Sequence, residues 1–159
     1  LYQIQQAVRL RAEQITAAHG DWPCRKGCDE CCRRLASAPR VSSEEWRLID
    51  AALNALPAET AKAARRRIED SAHAERPVVC PLLDTHAGAC LIYAARPVAC
   101  RTYGFYAERQ FVLGCARIEA LGQQRPDVVW GNHEALEAEL SDLGPAAGLA
   151  EWLEAGRRH

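Results

Sequence analysis

The sequence predicts a mainly α-helical single domain spanning residues 1–159, built around a cysteine-rich metal centre, with one or two short β-hairpins. Three observations predict it. Hydrophobic residues make up 48% of the chain but owe much to alanine, with few aromatics, which favours helices packed through small residues over a β-sandwich. Apolar positions recur at three- and four-residue steps between recognisable helix stops. Eight cysteines fall in two blocks: Cys24, Cys28, Cys31 and Cys32 within one nonapeptide, then Cys80, Cys90, Cys100 and Cys115 spread over the second half. At 159 residues the chain is long enough to bury a core without external help.

A first helix is expected over residues 2–19. Ile4, Ala7, Val8, Arg11, Ala12, Ile15 and Ala18 form its mostly apolar stripe, and Gly20 stops it. Asp21-Trp22-Pro23 turns the chain into the nonapeptide. A helix there would place all four thiols within an arc of roughly 100°. Gly27, free to take a positive φ, points instead to a bend around a bound ion. Ser42-Ser43-Glu44-Glu45 is a capping box with Val41 and Trp46 as a hydrophobic staple, opening a helix that runs to about Leu56 and ends at Pro57. A second helix over 58–74 carries Ala61, Ala64, Ile68 and Ala72 on one side. Residues 77–93 read as a hairpin or knuckle with Gly88 in its turn. Arg96-Pro97 opens a short helix with Cys100 on its inner face and Gly104 at its end. Residues 105–113 hold a second strand pair, followed by Cys115. In the tail Asn132 caps a helix over about 133–143, Gly144-Pro145 breaks it, and 146–155 form a last turn or two around Leu149, Trp152 and Leu153.

Several function classes are excluded. With 20 basic and 21 acidic residues the net charge is −1, so there is no field to gather nucleic acid or an anionic membrane. Arg65-Arg66-Arg67 is a solvated helix face and no RNA site. No apolar run reaches the ~18 to 20 residues that span a bilayer, and no signal-peptide pattern opens the chain. Because it begins at Leu1 and lacks methionine, native residues are expected to precede it. His133-Glu134-Ala135-Leu136 is followed by Glu137, where a metalloprotease helix needs histidine. Neither a serine-hydrolase elbow nor a phosphate-binding glycine loop occurs. A binding protein is expected rather than an enzyme. The lone histidines His19, His73, His86 and His133 are read as structural, with His86, between two cysteines, the first to examine.

Dense disulfide frameworks belong mainly to secreted domains below ~80 residues, and adjacent Cys31 and Cys32 cannot readily pair without a strained ring. Reduced thiols in the cytoplasm are therefore expected. Four thiolates suit tetrahedral Zn²⁺ or an iron–sulfur cluster. Eight could form two mononuclear sites, one shared polynuclear site, or one site with spares. Neighbours in sequence point different ways, so Cys31 and Cys32 are expected to serve two centres or to leave one thiol in reserve. Arg25, Lys26, Arg33, Arg34, Arg96 and Arg101 flank the cysteines, placed to offset the −2 charge of a zinc tetrathiolate and to donate to sulfur.

Cys24-x3-Cys28-x2-Cys31-Cys32, with Gly27 before the second cysteine, resembles the signature of the YkgJ-like cysteine-cluster family, described as a zinc- or iron-chelating domain. Cys80-Pro81-Leu82-Leu83, Gly88-x-Cys90-x-Ile92-Tyr93 and Arg96-Pro97-x-x-Cys100-Arg101-x-Tyr103 resemble its further elements in the same order. The resemblance implies metal chelation by Cys24, Cys28, Cys31, Cys32, Cys80, Cys90 and Cys100, with Cys115 an eighth candidate. It implies no reaction. Cys-x3-Cys-x2-Cys is also the spacing of radical S-adenosylmethionine enzymes, but Glu30 stands where they carry an aromatic, and their barrel needs a longer chain. The leading expectation is zinc or iron held through thiolates for structure, storage or delivery. An iron–sulfur redox protein is the alternative. A second alternative is a metal-stabilised module recruiting a protein partner through a helical face.

Overall fold

The structure, a computed structural model, describes residues 1–157; residues 158 and 159, the end of the expected domain, lie outside the described residues. Seven α-helices and a few very short strands make up the described chain, the mainly α architecture expected from composition. The chain divides into two units, each assembled from an early and a late segment. Leu1–Cys28 and Val98–Asp142 form the first; Asp29–Pro97 and the segment from Leu143 onward form the second. No helix among the described residues is long and apolar enough to cross a membrane.

In the first unit, α1 (Tyr2–His19) buries Ile4, Val8 and Ile15, the three- and four-step stripe read from sequence, and Gly20 ends it at φ 67°. It packs on α4 (Val98–Thr102), which begins directly after Arg96-Pro97, and on α6 (His133–Ser141), which Asn132 caps through its side chain. Between them lies a small sheet. β4 (Tyr106–Glu108) pairs antiparallel with β5 (Phe111–Val112) and parallel with β6 (Gly131–Asn132). Ring contacts of Trp22 with Phe105 and Trp130, at centroid distances of 6.2 and 5.7 Å, fill the space beside it. The indole Nε1 of Trp22 donates to the Gly104 carbonyl at 3.0 Å, fixing the segment just before Cys24. Helix α5 (Ala116–Gln124) follows Cys115 and buries Ile118.

The second unit has the larger continuous apolar core. Helix α2 (Ser43–Asn54) starts at the expected capping box: Ser42 Oγ accepts from Glu45 N–H, and Ser42 N–H donates to Glu45 Oε2 at 2.9 Å. It ends two residues before the expected Leu56, and α3 (Ala58–Ser71) three before 74. α7 (Leu149–Gly156) closes over both helices, burying Leu149 and Leu153 among Val41, Ile49, Leu53 and Ile68. β1 (Arg40–Val41) and β7 (Ala147–Gly148) join antiparallel, and Trp152 Nε1 donates to Val41 O at 2.8 Å. The expected hairpin is present as β2 (Leu83–Asp84) and β3 (Ala89–Cys90), with Gly88 at φ 62°. Its turn is held by Asp84, whose carboxylate accepts from the backbone N–H groups of His86 and Ala87, both at 3.0 Å; these bonds hold its pKa below the usual range.

Candidate metal centre

The cysteine nonapeptide is no helix. Gly27 takes φ 94°, Cys28 N–H returns to Arg25 O at 3.0 Å, and regular structure resumes only in a 3₁₀ turn over Cys31–Arg33. The single helical face considered from sequence therefore does not form, because the positive φ at Gly27 breaks any helical register. The two units meet in sequence inside this loop. Cys24 and Cys28 belong to the first, Cys31 and Cys32 to the second.

Three passes of the second unit bring four cysteines together. The 3₁₀ turn presents Cys31 and Cys32 side by side, their Sγ atoms 4.0 Å apart. The expectation that these neighbours diverge is not met, because the tight turn rotates both thiols to one side. Antiparallel bonds between Leu35 and Val78 (2.9 and 2.8 Å), continued by Cys80 N–H to Cys32 O at 2.7 Å, fasten the turn to the extended segment entering Cys80. Cys80 is buried in the apolar core. The hairpin register Leu83↔Cys90 then folds Cys90 back beside the same core, where Cys32 and Cys90 both pack.

These thiols sense one another. Contact with Cys32 and burial push the Cys31 thiol well above the ordinary cysteine range. Cys32 is pulled down by its hydrogen bond with Cys31, but the bond to Cys80, burial and the nearby Cys80 and Cys90 outweigh that and push it up to about 11. Burial raises Cys90, partly offset by the Ile92 N–H and the charge of Arg96. Of the cations expected to serve the sulfurs, Arg96 also stacks over Tyr93 at 3.6 Å. Arg33 is engaged by the Asp29 carboxylate (2.6 Å) and Thr85 O (3.1 Å), which ties the turn to the hairpin. His86 sits exposed at the hairpin tip.

In the first unit one cysteine, Cys24, is set against Gly104. Cys24 Sγ lies directly against the Gly104 Cα, in the space a side chain would occupy. Cys100 is on α4, four residues earlier. Gly104 N–H donates to Leu113 O at 2.6 Å, which brings the strand leading to Cys115, the N-cap of α5, to the same point. Tyr103 Oη donates to Gly114 O at 3.1 Å and fixes that approach. Cys28 is exposed on the loop that follows Cys24. Sequence reasoning treated Gly104 only as a helix stop; its positive φ of 88° was legible, the thiol behind it was not.

None of the eight cysteines is in a disulfide. Among the described residues, no three or more His, Cys, Asp or Glu side chains stand grouped so that they could hold a metal ion. The donor set is nonetheless chemically suited to a soft cation. The Cys31–Cys32 spacing of 4.0 Å is close to the ~3.8 Å edge of a tetrahedron with Zn–S bonds of ~2.3 Å. A family model for the CxxCxxCC domain, described as "Putative zinc- or iron-chelating domain", matches residues 23–121. No curated protein and no solved structure matches the chain.

Proposed function

We propose, on the premise that this chain belongs to the CxxCxxCC family of zinc- or iron-chelating domains, that it is a metal-binding protein holding zinc or iron through its clustered cysteine thiolates. The ligands are drawn from Cys24, Cys28, Cys31, Cys32, Cys80, Cys90, Cys100 and Cys115. One observation carries the reading: three separate passes of the second unit are hydrogen-bonded so that Cys31, Cys32, Cys80 and Cys90 approach one another as free thiols. A structural role is favoured over storage or delivery, because Cys80 is part of the apolar core and an ion there would tie the turn, the segment through Cys80 and the hairpin together. The metal supplies Lewis-acid cross-linking of soft donors; the chain supplies orientation, through the backbone bonds of Leu35, Val78 and Cys80. Free thiols in this number suit a reducing compartment such as the cytoplasm.

Metal and sulfide analysis of protein prepared without oxygen tests this reading. Stoichiometric zinc or iron without labile sulfide is the expected result. Labile sulfide with broad absorption near ~400 nm would assign an iron–sulfur cluster and a redox role instead. Protein that takes up neither metal nor cluster would end the proposal.

Binding should also release protons. Cys31, Cys32 and Cys90 hold their protons more tightly than ordinary thiols, so they are neutral near pH 7 and an ion must displace those protons. Apparent affinity is expected to fall as the pH is lowered from about 8 to about 6, by up to roughly tenfold per unit for each proton displaced. Calorimetric titrations in buffers of different ionisation enthalpy measure that number directly. Affinity that does not change with pH would contradict thiolate ligation.

A further inference from the structure

We propose that a cleft along α5 binds a small carboxylate with a short apolar body, its anionic end held by Arg117 and Arg125. The site contains no cysteine, so it stands apart from the chelation reading above.

The cleft lies within the first unit and has a volume of about 210 Å³. Helix α5 supplies most of its lining. Arg117, Leu121 and Gln124 recur at four- and three-residue steps and so share one face, with Arg125 following at the C-cap. Trp22, 3% exposed, joins Leu121 and Ala120 in an apolar wall. The charged groups are two guanidiniums, Arg117 and Arg125, against one carboxylate, Asp21, which leaves one positive charge in excess. That excess is local, since the whole chain carries a net charge of −1.

The two guanidiniums stand in different situations. Arg125 is anchored, because its Nη1 donates to the carbonyl of His19, the last residue of α1, at 3.1 Å. Its ion pair with Asp21 is loose, at 3.6 Å to a carboxylate whose side chain is 90% exposed, and water screens most of that attraction. Arg117 is exposed, and its side chain makes no hydrogen bond or ion pair among the described residues. One cation is therefore held in place at the cleft, and the other has its whole fork of N–H donors available.

These features define the ligand. A guanidinium fork matches the two oxygens of a carboxylate, and the amide of Gln124 adds a further donor. One excess positive charge matches a monoanion better than a phosphate dianion. The wall of Trp22, Ala120 and Leu121 rewards an apolar body over a bare ion. The volume is below the ~300–1,000 Å³ of sites that enclose drug-sized ligands, so that body is short.

Benzoate is the probe, with benzamide as its uncharged counterpart and acetate as the charge without the apolar ring. Each is titrated into full-length reduced protein while backbone amide and indole NMR shifts are followed. Benzoate should move the α5 amides and the Trp22 indole in a saturable way. Benzamide and acetate should each bind at least roughly tenfold more weakly. Arg117→Gln, at an exposed position with no partner to lose, leaves the fold intact and should weaken benzoate roughly tenfold, as loss of one hydrogen-bonded charge does. Arg66→Gln removes the same charge from an exposed position on α3, in the second unit, and should change nothing. Acetate or inorganic phosphate binding as tightly as benzoate would reduce the cleft to a plain basic patch and overturn the proposal. Equal losses in the two variants, or no saturable shift at α5, would overturn it too. None of these outcomes bears on chelation by the cysteines.

Discussion

Replacing Cys80 by serine is expected to strike the protein twice. Cys80 is 7% exposed and belongs to the apolar cluster with Leu82, Leu83 and Ile92. A hydroxyl is more polar than the thiol it replaces and has only a weakly bonding thiol, that of Cys32, beside it in this apolar setting, which should cost the metal-free protein about 1–3 kcal/mol. The metal-loaded protein should lose more, because serine is a poor ligand at neutral pH and the binding free energy of a tetrathiolate ion is also folding free energy. Denaturant unfolding with and without added zinc separates the two effects. Cys80→Ala should recover part of the first loss, being apolar, and none of the second. If Cys80→Ser gained as much stability from zinc as the native chain does, Cys80 would not be a ligand.

Gly104→Ala should dislodge Cys24. At φ 88° any side chain is strained, and the added methyl would overlap Cys24 Sγ and stand 3.0 Å from Cys24 Cβ. Strain and overpacking together should cost about 2–4 kcal/mol. Cys24 can escape only by turning its sulfur away, so thiol alkylation should find Cys24 more reactive and, if Cys24 is a ligand, bound metal more easily removed by chelator. Thermal unfolding measures the first effect and metal competition the second. An alanine variant with native stability and native metal retention would show that Cys24 does not depend on this contact.

Legibility in the sequence followed the range of the forces involved. Helix ends were readable where one or two side chains settle them, as at Gly20, Ser42 with Glu45, Pro57 and Asn132. Helix α5 had no such marker, since Cys115 stands at its cap without a side-chain capping bond. The β1–β7 pairing joins Arg40 to Gly148, and strands of two residues carry no alternation to read. The identity of the cysteine cluster was legible because its motifs are local. The side-by-side placement of Cys31 and Cys32 was not, because it depends on a 3₁₀ turn that is fastened in place by Val78 and Cys80, more than forty positions away. Gly27 carried the one local hint, a freedom that the fold spends on its sharpest change of direction near the thiols.

Because each unit is assembled from an early and a late stretch of polypeptide, biosynthesis faces a problem of timing. Cys24 to Cys32 emerge from the ribosome before Cys80, Cys90, Cys100 or Cys115 exist, and the second unit still lacks α7 when its last cysteine has appeared. Four nascent thiols in nine residues are thus presented early to any passing oxidant or adventitious ion. The early thiols of such a chain stay without their later neighbours until Cys115 has been made.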